Sequence, residues 1–344
     1  MLCPARYSLF NVFSDILKEL SNEVSRLDIV SRLSSSDIFI HNQRLRFPCR
    51  IRTSWEKHFL NKANEIILNK INLFKPDLVL VYNHEFLLPE TCVKIRKQAR
   101  LVFFMGDSPF YTSYNDYYLS CLPYADLILS PDTFWMEQLK TMGLSKCLFF
   151  VPGVDQKSYH RLTEQEDQVG IRESSVLYAG RTYMGSWGYK KALLMSQFTE
   201  FEFLLYGNAA WRHWFNFFPD LKKCFHESKY VPTIKLNKLL NKTKLAPADG
   251  NPGILNGFHL RLFEVLSAGA LPLVEYRKDV EEKLFSGCRN TIPMIRDYRR
   301  VRDTAAYFLK NEDERVELVK TLIQYISEKY NARNAAEYIV NELH

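Results

Sequence analysis

The sequence predicts an α/β protein made of two doubly wound domains, and three observations carry that expectation. First, short apolar runs that end in polar residues recur along the first half: KPDLVLVYNHE at 75–85, RLVFFMGDSPFY at 100–111, ADLILSPD at 125–132 and CLFFVPGVD at 147–155. Runs that are apolar on both faces suit parallel strands covered by helices on either side. Second, stretches with helical spacing lie between them, which is the alternation expected of a doubly wound sheet. Third, the polar, aperiodic segment HRLTEQEDQVGIRESS at 160–175 interrupts the series, and the pattern then restarts with VLYAGR at 176–181 and FEFLLYGN at 201–208. A chain of 344 residues is long for one core and comfortable for two. The expected boundaries are a first domain at 1–158, a linker at 159–174 and a second domain at 175–325. A C-terminal helix at 326–344 either stays with the second domain or crosses back to the first.

Taken in order, residues 7–25 have helical spacing, 37–41 read as a short strand, and 54–72 read as a long amphipathic helix. The four strand units follow, then the linker and the second series. A weaker region spans 229–240, and helical segments run from 305 onward. The start is unusual, because a doubly wound domain needs a central first strand and only residues 1–4 precede the first helix. Those residues either form the stub of that strand or follow natural residues absent from this sequence. In such sheets ligands bind beyond the carboxyl ends of the strands, which aims Asn83, His84, Glu85, Asp107, Ser108, Asp132 and Asp155 at one rim.

Composition narrows the partners. The formal charge of +7 calls for something anionic, and a nucleotide, an anionic glycan or a membrane surface would each serve. The one dense basic run, RDYRRVRD at 296–303, reads as a solvated helix face, so nucleic acid is not the expected partner. Seven cysteines without any CxxC spacing read as reduced thiols and argue against a zinc site. No apolar run is long enough to span a bilayer, and MLCPARYSLF lacks the layout of a secretory signal. The expected location is the cytoplasm, with contact to the inner membrane surface as a further option.

The densest chemistry lies in NPGILNGFHLRLFEVLSAGALPLVEYRKDVEE at 251–282. Gly257 precedes a mostly apolar helix expected over 258–267, and Gly269 stops it before a strand at 271–275. A helix that opens on glycine offers free N–H groups and the positive end of its dipole to an anion. Arg261 and Glu264 are three apart and share a face. They form either a local ion pair or part of a ligand site, in which Glu264 would accept from two ribose hydroxyls.

These pieces, in this order, resemble the GT-B glycosyltransferases, and among them the spore-maturation (CgeB-like) branch with its C-terminal glycosyl transferases group 1 module. The resemblance rests on KPDLVLVYN, VFFMGDSPFY, ADLILSPDTFWMEQLKTMG, FFVPGVDQKSYH, VLYAGR, FLLYGN and GFHLRLFEVLSAGALPLVEYRKDVEE. It implies two Rossmann-like domains facing across a cleft, the acceptor held by the first and a nucleotide-sugar donor mainly by the second. It further implies a sugar-transferring enzyme whose acceptor is a glycan, a polysaccharide precursor or a protein. Where many relatives carry two acids separated by seven residues, the second matches Glu264 and the first falls on Asn256. Where relatives often carry a basic pair after the first strand of the second domain, Arg181 matches its first member and Lys190 or Lys191 its second, Lys190 being preferred. Several relatives have a His-Asp pair after the first-domain strand; here Gly106 replaces the histidine and Asp107 remains.

The expected donor-binding set is therefore Arg181, Lys190, Asn256, Gly257, Phe258, His259, Arg261 and Glu264. The expected catalytic set is Asp107, His84 and Arg181. Asp107 serves either as a base or orienting carboxylate or as a turn cap. His84 either meets the substrates or is a structural loop histidine, and His259 either donates to phosphate or caps the helix. No Asp-x-Asp pair is present to hold a metal, so neither a metal nor another cofactor is expected. The positive groups around Arg181 and the 257–259 helix start would instead neutralise the leaving diphosphate. Two alternatives stay open: the same fold acting on modified nucleic-acid bases, and a non-catalytic nucleotide-sugar or glycan-binding scaffold.

Overall fold

A computed structural model describes residues 1–3, 9–21, 23–83, 86–111, 117–163 and 174–344. It divides into two compact units, Met1–Pro152 with Ala332–His344, and Gly153–Asn331.

The first unit holds strands β1 (Leu78–Tyr82), β2 (Arg100–Phe104), β3 (Leu127–Ser130) and β4 (Cys147–Phe149), which pair in parallel in the order β1-β2-β3-β4. These are the four apolar units of the sequence, and the buried runs Val79–Val81 and Leu101–Phe104 explain why they read so plainly. Leu2 forms parallel bridges to Leu27 on one side and Val81 on the other, with Leu2 N–H donating to Leu80 O at 2.8 Å. Residues 1–3 thus take the central place the sheet requires. Chain order reverses between Leu2 and β1, which makes the carboxyl end of β1 a topological switch point.

Helices α1 (Phe10–Leu20), α2 (Ser35–Gln43), α3 (Cys49–Phe74), α4 (Pro89–Arg96), α5 (Tyr118–Cys121) and α6 (Thr133–Thr141) cover this sheet. α1 places Phe13 against Phe104 and Tyr82, with ring centroids 4.8 and 5.6 Å away. The short strand expected at 37–41 is instead the middle of α2. The alternation of Asp-Ile-Phe-Ile-His suggested a strand, but the Ser34 hydroxyl accepts from Asp37 N–H at 3.1 Å and caps a helix there.

The second unit is a six-stranded parallel sheet in the order β10-β9-β8-β5-β6-β7. Its strands are β5 (Ser174–Ala179), β6 (Phe203–Gly207), β7 (Phe225–Glu227), β8 (Thr243–Ala248), β9 (Leu271–Glu275) and β10 (Met294–Ile295). Around it lie α7 (Ser186–Ser196), α8 (Trp211–Trp214), α9 (Leu221–Cys224), α10 (Thr233–Asn241), α11 (Arg261–Ser267), α12 (Val301–Lys310) and α13 (Glu312–Lys329). This is the doubly wound order, and its switch point falls between β5 and β8. β8 is the strand the sequence hid. Its text, TKLAPA, contains Pro247, which normally argues against a central strand, yet Pro247 sits opposite Leu273 of β9. α11 begins at Arg261, three residues later than the apolar pattern suggested, because 255–257 bend before the helix starts. Gly269 ends the turn after α11 at φ 90°, a conformation that favours glycine.

The last helix, α14 (Ala332–Leu343), packs on α1 and belongs to the first unit. Among the described residues, no helix is long and apolar enough to cross a membrane.

Candidate active site

At the switch point of the second unit, β5 delivers Gly180 and Arg181, and β8 delivers Asp249 and Gly250. Asp249 is 5% exposed and is the centre of a charged cluster. Its Oδ1 accepts from the Tyr178 hydroxyl at 2.8 Å and lies 3.3 Å from an Arg261 guanidinium nitrogen. Its Oδ2 lies 2.9 Å from Lys191 Nζ. Lys191 also donates to Tyr178 Oη at 3.0 Å and to the Arg181 carbonyl at 3.1 Å, so each of its three protons has an acceptor. The Arg261 guanidinium additionally lies over the Tyr178 ring, 4.9 Å from its centroid.

Burial alone would push the Asp249 carboxyl up, but the charges of Lys191 and Arg261 hold it below the usual carboxylate range. Burial likewise opposes charge on Lys191 and Arg261, and Tyr178 and Asp249 more than offset it, so both stay cationic. Two cations face one carboxylate, leaving this buried cluster with one positive charge in excess.

Glu264 stands three residues along α11 from Arg261. Its carboxylate makes no side-chain hydrogen bond or ion pair among the described residues, and Arg261 is committed to Asp249 instead. Burial pushes the Glu264 carboxyl up, with Arg261 working against the shift. His259 caps the start of α11: its Nδ1 accepts from Arg261 N–H at 3.1 Å. Burial first, and then the Arg261 charge, lower its pKa to about 3. The ring is therefore neutral at pH 7, and because Nδ1 is an acceptor the proton sits on Nε2, where it can donate.

The other residues expected to bind a donor divide clearly. Lys190 is turned away from Asp249; it pairs with Glu275 and lies 4.4 Å from the centroid of the Trp187 ring. Position 191 is thus the basic residue beside the switch point, and Lys190 belongs to a neighbouring cluster. In that cluster Glu275 also accepts from Arg277 at 2.9 Å, the Tyr298 hydroxyl at 2.6 Å and Gly250 N–H at 3.2 Å. It braces the turn after β8, where a side chain on Gly250 would collide with the Arg277 guanidinium. Phe258 is 4% exposed and packs on Phe263 with centroids 5.5 Å apart, so its side chain is core and only its backbone is available to a ligand. Gly257 is buried and Asn256 half-buried before α11, and the Asn256 carbonyl accepts from Asp279 N–H at 2.9 Å. Arg181 is exposed, and its side chain forms no ion pair among the described residues. Trp211 and Trp214 are buried and donate to the Gly180 and Tyr183 carbonyls, which makes them part of the frame.

In the first unit, Asn83 follows β1 in the left-handed region at φ 42°, which Asn tolerates better than most residues. Its Oδ1 accepts from Gly106 N–H at 2.7 Å, and its Nδ2 donates to Asp107 Oδ2 at 2.8 Å. Asn83 therefore aims Asp107 across the carboxyl ends of β1 and β2. Surrounding protein raises the Asp107 pKa, and the Asn83 hydrogen bond opposes that rise. Asp132 caps α6 through Phe134 N–H at 2.8 Å, and Asp155 fixes its own turn through Ser158. His84 and Glu85 lie outside the described residues. Among the described residues, no group of three or more His, Cys, Asp or Glu side chains is gathered to hold a metal.

Tyr178, Asp249 and Glu275 were not anticipated from the sequence. The available signal was the polar Asp-Gly that follows an apolar Leu-Ala-Pro-Ala, as in the first-unit strands.

Comparison with known proteins agrees with this architecture. The family described as Glycosyl transferase-like matches residues 190–341. No curated protein matches in sequence. Among solved structures, trehalose-6-phosphate from E. coli bound with UDP-2-fluoro glucose superposes with a TM-score of 0.62 at 12% identity, covering 100% of this chain and 97% of that one. Anabaena HepE in complex with UDP-glucose gives 0.62 at 10% identity over 99% and 98% of the two chains. Sucrose-phosphate synthase from Thermosynechococcus elongatus gives 0.61 at 10% identity over 83% and 77%. The structures establish the GT-B fold, and the family match covers residues 190–341, less than half of the chain.

Proposed function

We propose that the protein transfers a sugar from a uridine diphosphate sugar to a glycan, polysaccharide-precursor or protein acceptor without a metal, and that it belongs to the CgeB-like branch whose motif series it resembles. The choice of uridine rests on the UDP compounds named with two of the similar structures. The observation that carries the donor reading is Glu264. Its half-buried carboxylate has its pKa raised by burial and makes no side-chain hydrogen bond among the described residues, and two vicinal ribose hydroxyls would supply donors to it.

In this reading the remaining residues share the diphosphate. The excess positive charge of the Lys191–Asp249–Arg261 cluster attracts it, Arg181 and Arg261 donate to its oxygens, and His259 adds a neutral Nε2–H. Lys191, with all three protons engaged, positions Arg181 and Asp249 and does not itself reach the phosphates. As the glycosidic bond breaks, negative charge grows on the departing diphosphate, and fixed donors aimed at that charge lower the barrier. Asp107, exposed on the rim and aimed by Asn83, with its pKa raised by the surrounding protein, accepts the proton of the acceptor hydroxyl.

A thermal-shift panel of UDP, GDP, ADP, CMP and dTDP tests the donor assignment, because a ligand bound only by the folded state raises its melting temperature. A shift with UDP above the others is expected. No shift with any nucleotide would overturn the donor site. A shift without transfer or hydrolysis of a labelled UDP-sugar would identify a binding scaffold.

A further inference from the structure

The corner formed by α2, the turn at Arg44–Arg46 and the start of α3 has surface features that neither the sheet nor the donor site uses. α2 and the turn contain no buried residue, and both pack against α3. A short helix whose residues are at most half-buried has little of the tertiary packing that normally stabilises such an element. Three large apolar side chains project from this corner: Phe39 is 66% exposed, Leu45 63% and Ile51 58%. Basic residues interleave with them. Of the two acids within 35–59, Asp37 is paired with Lys62 and Glu56 with Arg44, and among the described residues Arg46, Arg50, Arg52 and Lys57 have no carboxylate partner. Three buried polar atoms here also have no hydrogen-bond partner among the described residues: His41 Nδ1, Arg52 Nε and Trp55 Nε1. Buried donors without acceptors are rare in a finished surface.

From this combination we infer that the α2–α3 corner docks on an anionic phospholipid surface, with Phe39, Leu45 and Ile51 entering the interface and Arg46, Arg50, Arg52 and Lys57 meeting lipid phosphates. Apolar side chains rimmed by cations, with a Trp at the margin, match the two layers of a bilayer interface. A nucleic acid would satisfy the cations but would leave the aliphatic Leu45 and Ile51 in water. The corner also adjoins the rim of the first unit. Phe86, three residues past Asn83, packs against His41 and Phe59 at centroid distances of 5.7 and 5.4 Å. Docking here would hold the Asn83–Asp107 rim near the bilayer, where a surface-borne acceptor is presented. The inference stands apart from the donor assignment.

The test is sedimentation of the full chain with phosphatidylcholine vesicles that contain or lack phosphatidylglycerol. The wild type, Leu45→Ser/Ile51→Ser and Arg46→Glu/Arg50→Glu would be compared, with melting temperatures and the UDP thermal shift as folding controls. Binding of the wild type to the anionic vesicles is expected. Each arginine near an anionic surface contributes about five-fold in affinity, so the charge reversal should lose at least about 25-fold. The apolar pair should lose binding as well, and both variants should keep wild-type melting temperatures because the altered side chains are exposed. Failure of the wild type to bind, or retention of binding by either variant, would overturn the inference. So would variants that keep vesicle binding and lose binding to a single-stranded oligonucleotide, which would point to nucleic acid.

Discussion

The rims of the two sheets are built differently, although both lie at switch points of doubly wound units. The rim of the second unit is a closed electrostatic network: Asp249 is bonded to Tyr178, Lys191 and Arg261, and Glu275 to Lys190, Arg277 and Tyr298. Among the described residues, the rim of the first unit carries Asn83 holding Asp107, with exposed Phe110 and Tyr111 in the loop that follows. Under the proposed function the second rim would meet a diphosphate common to every donor, which a rigid, prepaid network suits. The first rim would meet a variable acceptor, which a more open rim would suit.

The contrast can be broken most forcefully at Asp249. Asp249→Asn leaves two buried cations with no carboxylate, and removing one partner of a buried charged network costs about 3–5 kcal/mol. Chemical denaturation should show a loss of that order, whereas Asp107→Asn in the first unit should change stability by less than about 1 kcal/mol. Arg181→Ala separates function from folding in the same network. Its side chain is exposed, so stability should hold within about 0.5 kcal/mol while kcat for sugar transfer falls by about 100-fold.

A further effect concerns pH. The folded state holds His259 at about pKa 3, below the ordinary 6.5, so between those values the unfolded chain binds the proton and the folded protein does not. Stability contributed by neutral His259 is present above pH 6.5 and is lost as pH falls toward 3, by at most about 1.4 kcal/mol per pH unit. His259→Asn should flatten the stability profile in that window.

How much of this was legible follows from burial. The strands of the first unit are buried on both faces and so are written as unbroken apolar runs. The 251–282 unit was legible as a helix and its stop before a strand, because Arg261, Glu264 and Gly269 follow helix spacing and termination rules, although the helix opens at Arg261 and not beside Gly257. β8 was not legible, since Lys244 and Pro247 contradict a central strand, and with it went Asp249. Without Asp249 the sequence offered Glu264 as the natural partner of Arg261, whereas in the structure Arg261 reaches across to β8 and leaves Glu264 unpaired. The choice between Lys190 and Lys191 was equally beyond a one-dimensional reading. Neighbours on a helix point about 100° apart, and only the position of α7 on the sheet decides which one meets Asp249.

The central claim is that Glu264 is a ligand group held ready at a cost to the free protein, and calorimetric titration of UDP into wild type and Glu264→Ala tests it most directly. Hydrogen bonds to a charged group contribute about 1.5–3 kcal/mol, so the variant should bind UDP about 10- to 100-fold more weakly while its ligand-free stability is unchanged or higher. Equal affinity in the two proteins, or weaker binding accompanied by a loss of ligand-free stability, would contradict it.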